Sequence, residues 1–328
     1  MINDDIQISV CITTYNSENF IYNSLLSVIE QETNFNYEII IADDASNDKT
    51  LDIIYKILKK SNFNQFKIIK SNINKGIVSN LFAAIKATTA KYIALLDADD
   101  IWTDRQKLQS QFEILNNDNS IDYVYSNYIF KYSSNDTKHT LGLPSNFIHP
   151  LKEAFEVCLI TPFMHICTIC IKKEVINLEL IEDFIKLNFV SQDYPLLLFL
   201  TKNFKGYYDP KITTAIILRK ESLSRPASIE KKLAYFKNIH KIGTYFIELY
   251  GVNESTLELR NFKYHMKCLL VLWSSYNYLQ IKEYSRNLTL GAFIKYNPKA
   301  AYIHIASHSK ILYKLLRPWV LRKRPPGK

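Results

Sequence analysis

The first hundred residues alternate short apolar runs with amphipathic stretches. Ile6–Thr14 (IQISVCITT) predicts a buried strand. Tyr15-Asn16-Ser17 breaks it, and Ser17 is placed to cap a helix to about Gln31, with Phe20, Leu25, Val28 and Ile29 inside. Tyr37–Ala42 predicts a second strand, followed by a helix from Asp48 to Lys60 with Leu51, Ile54, Ile57 and Leu58 on one face. Phe66–Lys70 is a third strand, and a helix to about Ala87 follows the turn Asn74-Lys75-Gly76. Lys91–Leu96 is a fourth, ending in Asp97-Ala98-Asp99-Asp100. Strand–helix alternation with short connections predicts an α/β fold: a mainly parallel sheet with helices on both faces.

Beyond this the pattern loosens. Ile121–Tyr132 reads as a strand, 133–149 as a loop, and Pro195–Leu200 as an apolar helix. From Ile229 to about Leu290 the periodicity is helical and rich in Tyr, Phe and Leu. The polar stretch Ser222-Leu223-Ser224-Arg225-Pro226 predicts a boundary between a body, residues 1–222, and a helical C-terminal region, residues 223–328.

Charge adds a second asymmetry. The 328 residues carry a formal net charge of +9, yet no Asp or Glu follows Glu283. Residues 284–328 hold ten Lys or Arg, leaving 31 basic and 32 acidic groups in residues 1–283. The excess belongs to a tail, and not to a stripe over a site, so nucleic acid is not the expected partner. A helix drawn from Ala300 to Trp319 puts Ala301, Ile305, Leu312, Leu316 and Trp319 on one face and Lys310, Lys314 and Arg317 on the other, with Arg322, Lys323 and Arg324 beyond. That is the pattern of an interfacial helix meeting an anionic membrane; the alternative is a helix packed on the body with a solvated basic face. The acidic polar N-terminus and the lack of a long apolar window predict a cytoplasmic protein, peripheral on the inner face of the membrane. Five Cys, an odd number over a long chain, suit a reducing compartment.

Candidate chemistry gathers where strands end. In open parallel sheets a ligand binds beyond the carboxyl ends of the strands. Thr13 to Asn16, Asp43-Asp44 and Asp97 to Asp100 all fall there. Carboxylates as close as Asp97, Asp99 and Asp100 repel without a cation. Oxygen ligands suit Mg²⁺ or Mn²⁺ shared with a diphosphate, whose departure the ion assists. The bland alternative is that Asp99 or Asp100 caps a helix starting near Thr103.

These segments carry a resemblance. Ile8-Ser9-Val10-Cys11-Ile12-Thr13-Thr14-Tyr15-Asn16, Ile41 to Thr50 (IADDASNDKT), Asn74-Lys75-Gly76-Ile77 and Leu95 to Asp100 stand in the order and spacing of family 2 glycosyltransferases of the GT-A fold. The resemblance covers about residues 6–105 closely and 106–222 loosely. It implies that Thr13 and Tyr15 line a nucleoside pocket, that Asp44 accepts from the base, and that Asp97 lies near the ribose or sugar. Asn16, Lys75, Gly76 and Ala98 complete the nucleotide-sugar set, and Asp99 is the metal ligand. Thr13 stands where many members carry Pro. The family's general base is an acid opening a later helix, often in a Glu-Asp pair. Asp193 matches the second acid, and Gln192 replaces the first. Ser191 or Asp193 also suits a plain helix cap, which is compatible with catalysis.

The implied activity is inverting transfer from a nucleotide diphosphate sugar, UDP-linked by first choice, to a hydroxyl of a glycan or polyprenyl-linked acceptor. Two rivals remain. A nucleotide-sugar-binding module without turnover predicts tight UDP binding alone. An Asp-nucleophile phosphatase expects Thr or Val where Ile101 stands. His165, Cys167 and Cys170 lie in an apolar strand-like run and read as core and not as a zinc site, although His165 could lie near the acceptor. Trp102 reads equally as a sugar platform or as core.

Overall fold

The computed structural model describes residues 6–132, 140–144, 146–219, 222, 224–275 and 277–322. The stretch 133–139 of the expected loop, Leu223 of the expected boundary, and the tail residues Lys323, Arg324 and Lys328 lie outside the described residues. The chain divides into two compact units, Met1–Arg219 and Lys220–Lys328.

The first unit begins with β1 (Ile6–Thr14), α1 (Ile21–Ile29), β2 (Asn36–Asp43), α2 (Thr50–Ser61), β3 (Phe66–Lys70), α3 (Ile77–Lys86) and β4 (Tyr92–Asp97). It continues with β5 (Ile101–Trp102), α4 (Lys107–Asn117), β6 (Tyr123–Lys131), β7 (Thr140–Leu141), α5 (Ala154–Ile160), β8 (Ile169–Lys172), α6 (Leu178–Lys186), α7 (Asp193–Asn203) and β9 (Gly206–Ile217). One sheet runs in the order β3-β2-β1-β4-β8-β6-β9-β5, with β7 on β6. The first four strands are mutually parallel. β8 is antiparallel to both β4 and β6, and β6 is parallel to β9. Two reversals restore direction, so β6 and β9 point the same way as β4. The carboxyl ends of β1, β2, β4, β6 and β9 therefore share one edge.

Strands covered on both faces need apolar side chains on both, which is why β1 and β2 read as near-continuous hydrophobic runs. Ile8, Val10, Ile12, Ile39, Ile40 and Ile41 are wholly buried. Each contributes roughly 1.5–3 kcal/mol by leaving water. Asn80 on α3 fastens the functional edge: its amide donates to the carbonyls of Thr14, at 3.2 Å, and Ala42, at 2.9 Å.

Three local expectations change. Ser17 does not cap α1 with its side chain; its carbonyl accepts from Phe20 and Ile21 and the helix proper starts at Ile21. No helix starts near Thr103. Ile101–Trp102 pairs with β9 instead, and α4 begins only at Lys107. The run from His165 becomes a strand only at Ile169, after a short 3₁₀ turn.

The second unit is helical: α8 (Ile229–Tyr250), α9 (Glu254–Ser274), α10 (Tyr278–Ser285), α11 (Leu290–Tyr296), α12 (Ala301–Ser307) and α13 (Lys310–Arg322). Ser228, Asn253, Asn277 and Thr289 cap the first four with side-chain oxygens. Its core joins Trp273, Phe293, Ile303, Ala306 and Tyr313. The expected helix Ala300–Trp319 is two helices, broken at His308-Ser309. Its faces shift accordingly. Ile303, Ala306, Tyr313 and Val320 are buried, whereas Ile305, Leu312 and Trp319, expected on the apolar face, are exposed. Arg317 donates to the carbonyls of Trp273 and Ser274 at the end of α9, where a cation meets the negative pole of the helix. No helix among the described residues is long and apolar enough to cross a membrane.

Candidate active site

The edge defined by the parallel strands carries the residues singled out above. β1 and β4 are neighbours in register, Thr13 opposite Asp97. The Thr13 hydroxyl donates to Asp97 Oδ1 at 2.9 Å, and the Ala98 N–H donates to the Thr13 carbonyl at 3.1 Å. α7 enters from the other side. The Gln192 amide donates to the same Asp97 oxygen at 2.5 Å and lies 3.5 Å from the Thr13 hydroxyl. Asp193 is the first residue of α7. Thr13, Asp97, Ala98, Gln192 and Asp193 thus form one cluster, although Asp97 and Asp193 are 96 residues apart in the chain.

Electrostatics follow from this crowding. Burial first, then the charges of Asp193 and Asp99, pushes Asp97 up from 3.8 to about 7. Burial first, then Asp99, pushes Asp193 up to about 6, although its own backbone N–H opposes the shift. Asp100 is held well above the usual carboxylate range, by burial above all. It has a bracing role. Its Oδ1 accepts from the Ile217 N–H at 3.0 Å and its Oδ2 from the Cys167 thiol at 3.0 Å, tying the end of β4 to β9 and to the turn before β8. It caps no helix.

Asp99 faces a different partner. Arg219 Nε lies 2.8 Å from Asp99 Oδ2, and the guanidinium packs over the Phe20 ring, 5.2 Å from its centroid. Reading the sequence did not single out Arg219. Its signal was available: it follows the last apolar strand by two residues, and a cluster of acids asks for a cation.

The neighbouring strand end is a network of turns. Asp44 accepts the N–H groups of Lys75 at 2.7 Å and Gly76 at 2.8 Å, one on each oxygen. Gly76 adopts φ +89° and ψ 161°, a region that glycine alone occupies comfortably. Asn16, at φ +47°, accepts from the Asn47 N–H and donates its own N–H to Ser46. Asp43 holds Ser46 through both backbone and hydroxyl. Tyr15 is 47% exposed at the rim, and the Lys75 side chain is exposed. The structure therefore brings Tyr15, Asn16, Asp44, Lys75 and Gly76 to the same edge as Thr13 and Asp97 to Asp99.

Two side readings resolve. Trp102 is core: it is buried, its indole N–H donates to the Cys167 carbonyl at 2.9 Å, and Lys107 lies over its ring. Asp100, His165 and Cys167 bring ligand atoms within 4.8 Å of one another. Burial holds the Cys167 thiol protonated and donating to Asp100, which is poor ligand chemistry for a soft metal. The partly buried carboxylate of Asp99, in an acidic cluster faced by one arginine, is the better fit to a hard divalent cation.

Residues 9–177 match the family model described as glycosyl transferase family 2. The chain belongs to that family. By family it is a glycosyltransferase, and its mixed sheet flanked by helices is the GT-A architecture. It is 34% identical over 125 residues to UDP-Glc:alpha-D-GlcNAc-diphosphoundecaprenol beta-1,3-glucosyltransferase WfgD of Escherichia coli, covering 38% of this chain and 47% of that protein. It is 39% identical over 121 residues to WfaP, named for the same reaction in the same organism, covering 37% and 45%. The chain thus spans about half the length of the curated relatives it matches. Among solved structures, S. aureus TarS 1-349 in complex with UDP-GlcNAc aligns with a TM-score of 0.58 at 15% identity, over 98% of this chain and 93% of that one. Mannosyltransferase PcManGT from Pyrobaculum calidifontis, in complex with GDP-Man and Mn²⁺, aligns at 0.56 and 15%, over 98% and 88%. At that identity these two structures speak to the fold alone.

Proposed function

We propose that residues 1–222 transfer a sugar, with inversion, from a nucleotide diphosphate sugar to a hydroxyl of a polyprenyl-linked glycan. The observation that carries the reading is the meeting of β1, β4 and α7: Asp193 opens α7 beside Gln192, which bonds Asp97. In this reading Thr13, Tyr15, Asn16, Asp44, Lys75 and Gly76 hold the nucleotide, while Asp97 and Ala98 lie at the ribose and sugar. Asp99 would hold Mn²⁺ or Mg²⁺, and the bound cation supplies positive charge to the leaving diphosphate.

Asp193 is the base. Burial raises it to about 6, so it is ionised at neutral pH yet more basic than an ordinary aspartate. It takes the proton of the acceptor hydroxyl. The acceptor oxygen bonds to the anomeric carbon as the bond from that carbon to the diphosphate oxygen breaks on the opposite face. The electron pair leaves on the nucleoside diphosphate. UDP as nucleotide and a polyprenyl-diphosphate acceptor are supported by the printed names of WfgD and WfaP.

We also assign the second unit to an anionic membrane surface on the cytoplasmic side, where a polyprenyl carrier resides. Support comes from α13, which leaves Ile311, Leu312, Leu315 and Trp319 exposed beside Lys310 and Lys314.

The deciding experiment compares wild type with Asp193→Asn. UDP binding with Mn²⁺, read by calorimetry, is expected to persist. Transfer from UDP-sugars to a polyprenyl-diphosphate GlcNAc acceptor is expected to fall at least about 10²-fold. Transfer that survives the substitution removes Asp193 as the base. UDP binding without turnover in both forms makes the chain a binding module.

A further inference from the structure

His165 is an ionisable side chain at this edge that the reaction above does not use. β8 runs antiparallel to β4 and β6, so its amino end, not its carboxyl end, meets the functional edge. His165 stands there, at the start of the 3₁₀ turn that feeds β8. The turn is tied to the end of β4: the Cys167 thiol donates to Asp100, and its sulfur accepts from the Asp97 N–H at 3.3 Å. The His165 carbonyl accepts from the Thr168 N–H at 2.9 Å and from the Thr168 hydroxyl at 2.7 Å. Its ring packs on Tyr128, with 5.7 Å between centroids. The imidazole is thus held on a fixed element before any ligand arrives.

The fold itself makes little use of the ring. Nδ1 is buried, has no hydrogen-bond partner among the described residues, and lies 4.0 Å from Asp100 Oδ2. Asp100 does not need it, since the Ile217 N–H and the Cys167 thiol already bond its two oxygens. Burial lowers the pKa of the imidazole, so the ring is neutral and carries one proton. The oxygen facing Nδ1 is already an acceptor, so that proton belongs on Nδ1, and Nε2 is left as an acceptor. The side chain is 26% exposed. With Nδ1 sealed off, the opening belongs to the rest of the side chain, whose other polar atom is Nε2. An acceptor nitrogen on the open side of a fixed ring calls for a donor, and hydroxyls are the donors that a sugar brings.

The strand order says which sugar. Along β3-β2-β1-β4-β8-β6, Asp44 follows β2, Tyr15 and Asn16 follow β1, and Asp99 follows β4. A donor laid along this edge puts its nucleoside at β2 and β1 and its diphosphate at the end of β4. Its sugar comes next, over the amino end of β8. The charges acting on the imidazole are those of Asp97 and Asp99, the carboxylates assigned above to the sugar and to the metal. We propose that His165 selects the transferred sugar, its Nε2 accepting a hydrogen bond from one hydroxyl of that sugar. The proposal rests on the donor assignment made above. His165 removes no proton in the reaction; it holds the sugar while the diphosphate departs. It discriminates by what it rejects, because a sugar lacking that hydroxyl leaves Nε2 covered and without a partner.

Calorimetry in saturating Mn²⁺, without acceptor, tests this with UDP and with UDP-glucose, the donor in the names of WfgD and WfaP. His165→Leu should bind UDP-glucose about three- to tenfold weaker and UDP as wild type does. His165→Gln places its amide oxygen where Nε2 stands and should recover most of the loss. His165→Asn reaches only as far as Nδ1 and should not. UDP-glucoses lacking one hydroxyl each identify the partner. One of them should bind wild type as weakly as His165→Leu binds UDP-glucose, and should lose nothing further in that variant. A structural role would weaken UDP and UDP-glucose together and couple no hydroxyl to position 165; either result overturns the proposal. Should His165→Leu fail to fold, the Gln and Asn variants decide, and equal affinities of those two for UDP-glucose overturn it. Wild type that binds UDP but not UDP-glucose removes the donor reading and this proposal together. Wild type that binds UDP-glucose and loses transfer in Asp193→Asn, while all the His165 variants bind as wild type does, removes His165 alone.

Discussion

Gln192 shows what one residue does at this site. From the sequence it is a departure, an amide where the resemblance to the family leads one to expect a carboxylate. In the structure that amide donates to Asp97 Oδ1 at 2.5 Å, so the substitution puts a donor where two acids would have repelled. Asp97 and Asp193 still pay for their burial, standing at about 7 and about 6 against 3.8 for an exposed aspartate. The sign of the consequence is fixed. Between about pH 4 and 7 the folded protein holds protons that the unfolded chain has released, so stability falls as pH rises through that window. The ligand-free protein is therefore expected to be less stable at pH 7.5 than at pH 5, by on the order of 4 kcal/mol from these two groups, and so to melt lower. Asp97→Asn keeps the oxygen that Thr13 and Gln192 reach and has no proton to lose, so its melting temperature should change less over the same interval. Thermal melts of the two proteins at both pH values check this. Thr13, Asp97, Asp99 and Asp193 were legible because strand ends and helix starts bracket them. Arg219 was missed, because its place two residues after the last apolar strand points to the acidic cluster only once β9 and β4 are known to share one sheet.

At the scale of elements, the strands buried on both faces were legible and the connections were not. β1 to β4 declare themselves by unbroken runs of Ile, Val and Leu, which no solvated segment would carry. β5 is two residues long and exists because the Ile101–Trp102 backbone finds β9, a strand more than a hundred residues later. No local pattern encodes such a pairing, and the same segment reads as a helix approach. Turn chemistry lies between these extremes. Asn74-Lys75-Gly76 is recognisable as a turn, but its role follows from Asp44, whose two oxygens hold the Lys75 and Gly76 amides. There Gly76 takes φ +89° and ψ 161°, with open space where a Cβ would point. Backbone strain, not collision, is what demands glycine. Gly76→Ala is expected to cost about 1–3 kcal/mol in urea unfolding and to loosen the loop that Asp44 braces. A cost near zero would mean that the turn relaxes into another conformation without penalty.

For the whole chain, the segregation of charge was plain in the sequence, whereas the use of the tail was not. Periodicity alone drew one helix and put Ile305, Leu312 and Trp319 on its apolar face, the side expected to meet a membrane. The break at His308-Ser309 resets the phase, and Tyr313 and Val320 turn inward instead. Arg317 is committed to the last carbonyls of α9 and drops out of the basic face. What remains on α13 is a sharper amphipathic surface: Ile311, 73% exposed, and Leu315, 69% exposed, one turn apart, with Leu312 and Trp319 beside them and Lys310 and Lys314 flanking. Apolar side chains so open to water gain by entering a lipid interface, and each nearby lysine adds about 1 kcal/mol on an anionic surface. The 328-residue chain is therefore expected to co-sediment with vesicles rich in anionic lipid and to stay in solution with neutral ones. Ile311→Glu combined with Leu315→Glu removes the apolar contribution without touching Tyr313 or Val320 in the core, and should release the protein by at least about tenfold in partitioning. Raised salt should weaken the wild type as well, because the lysine contribution is screened. Equal sedimentation of wild type and double variant would show that α13 is a solvated helix, and that the chain reaches its acceptor by another surface.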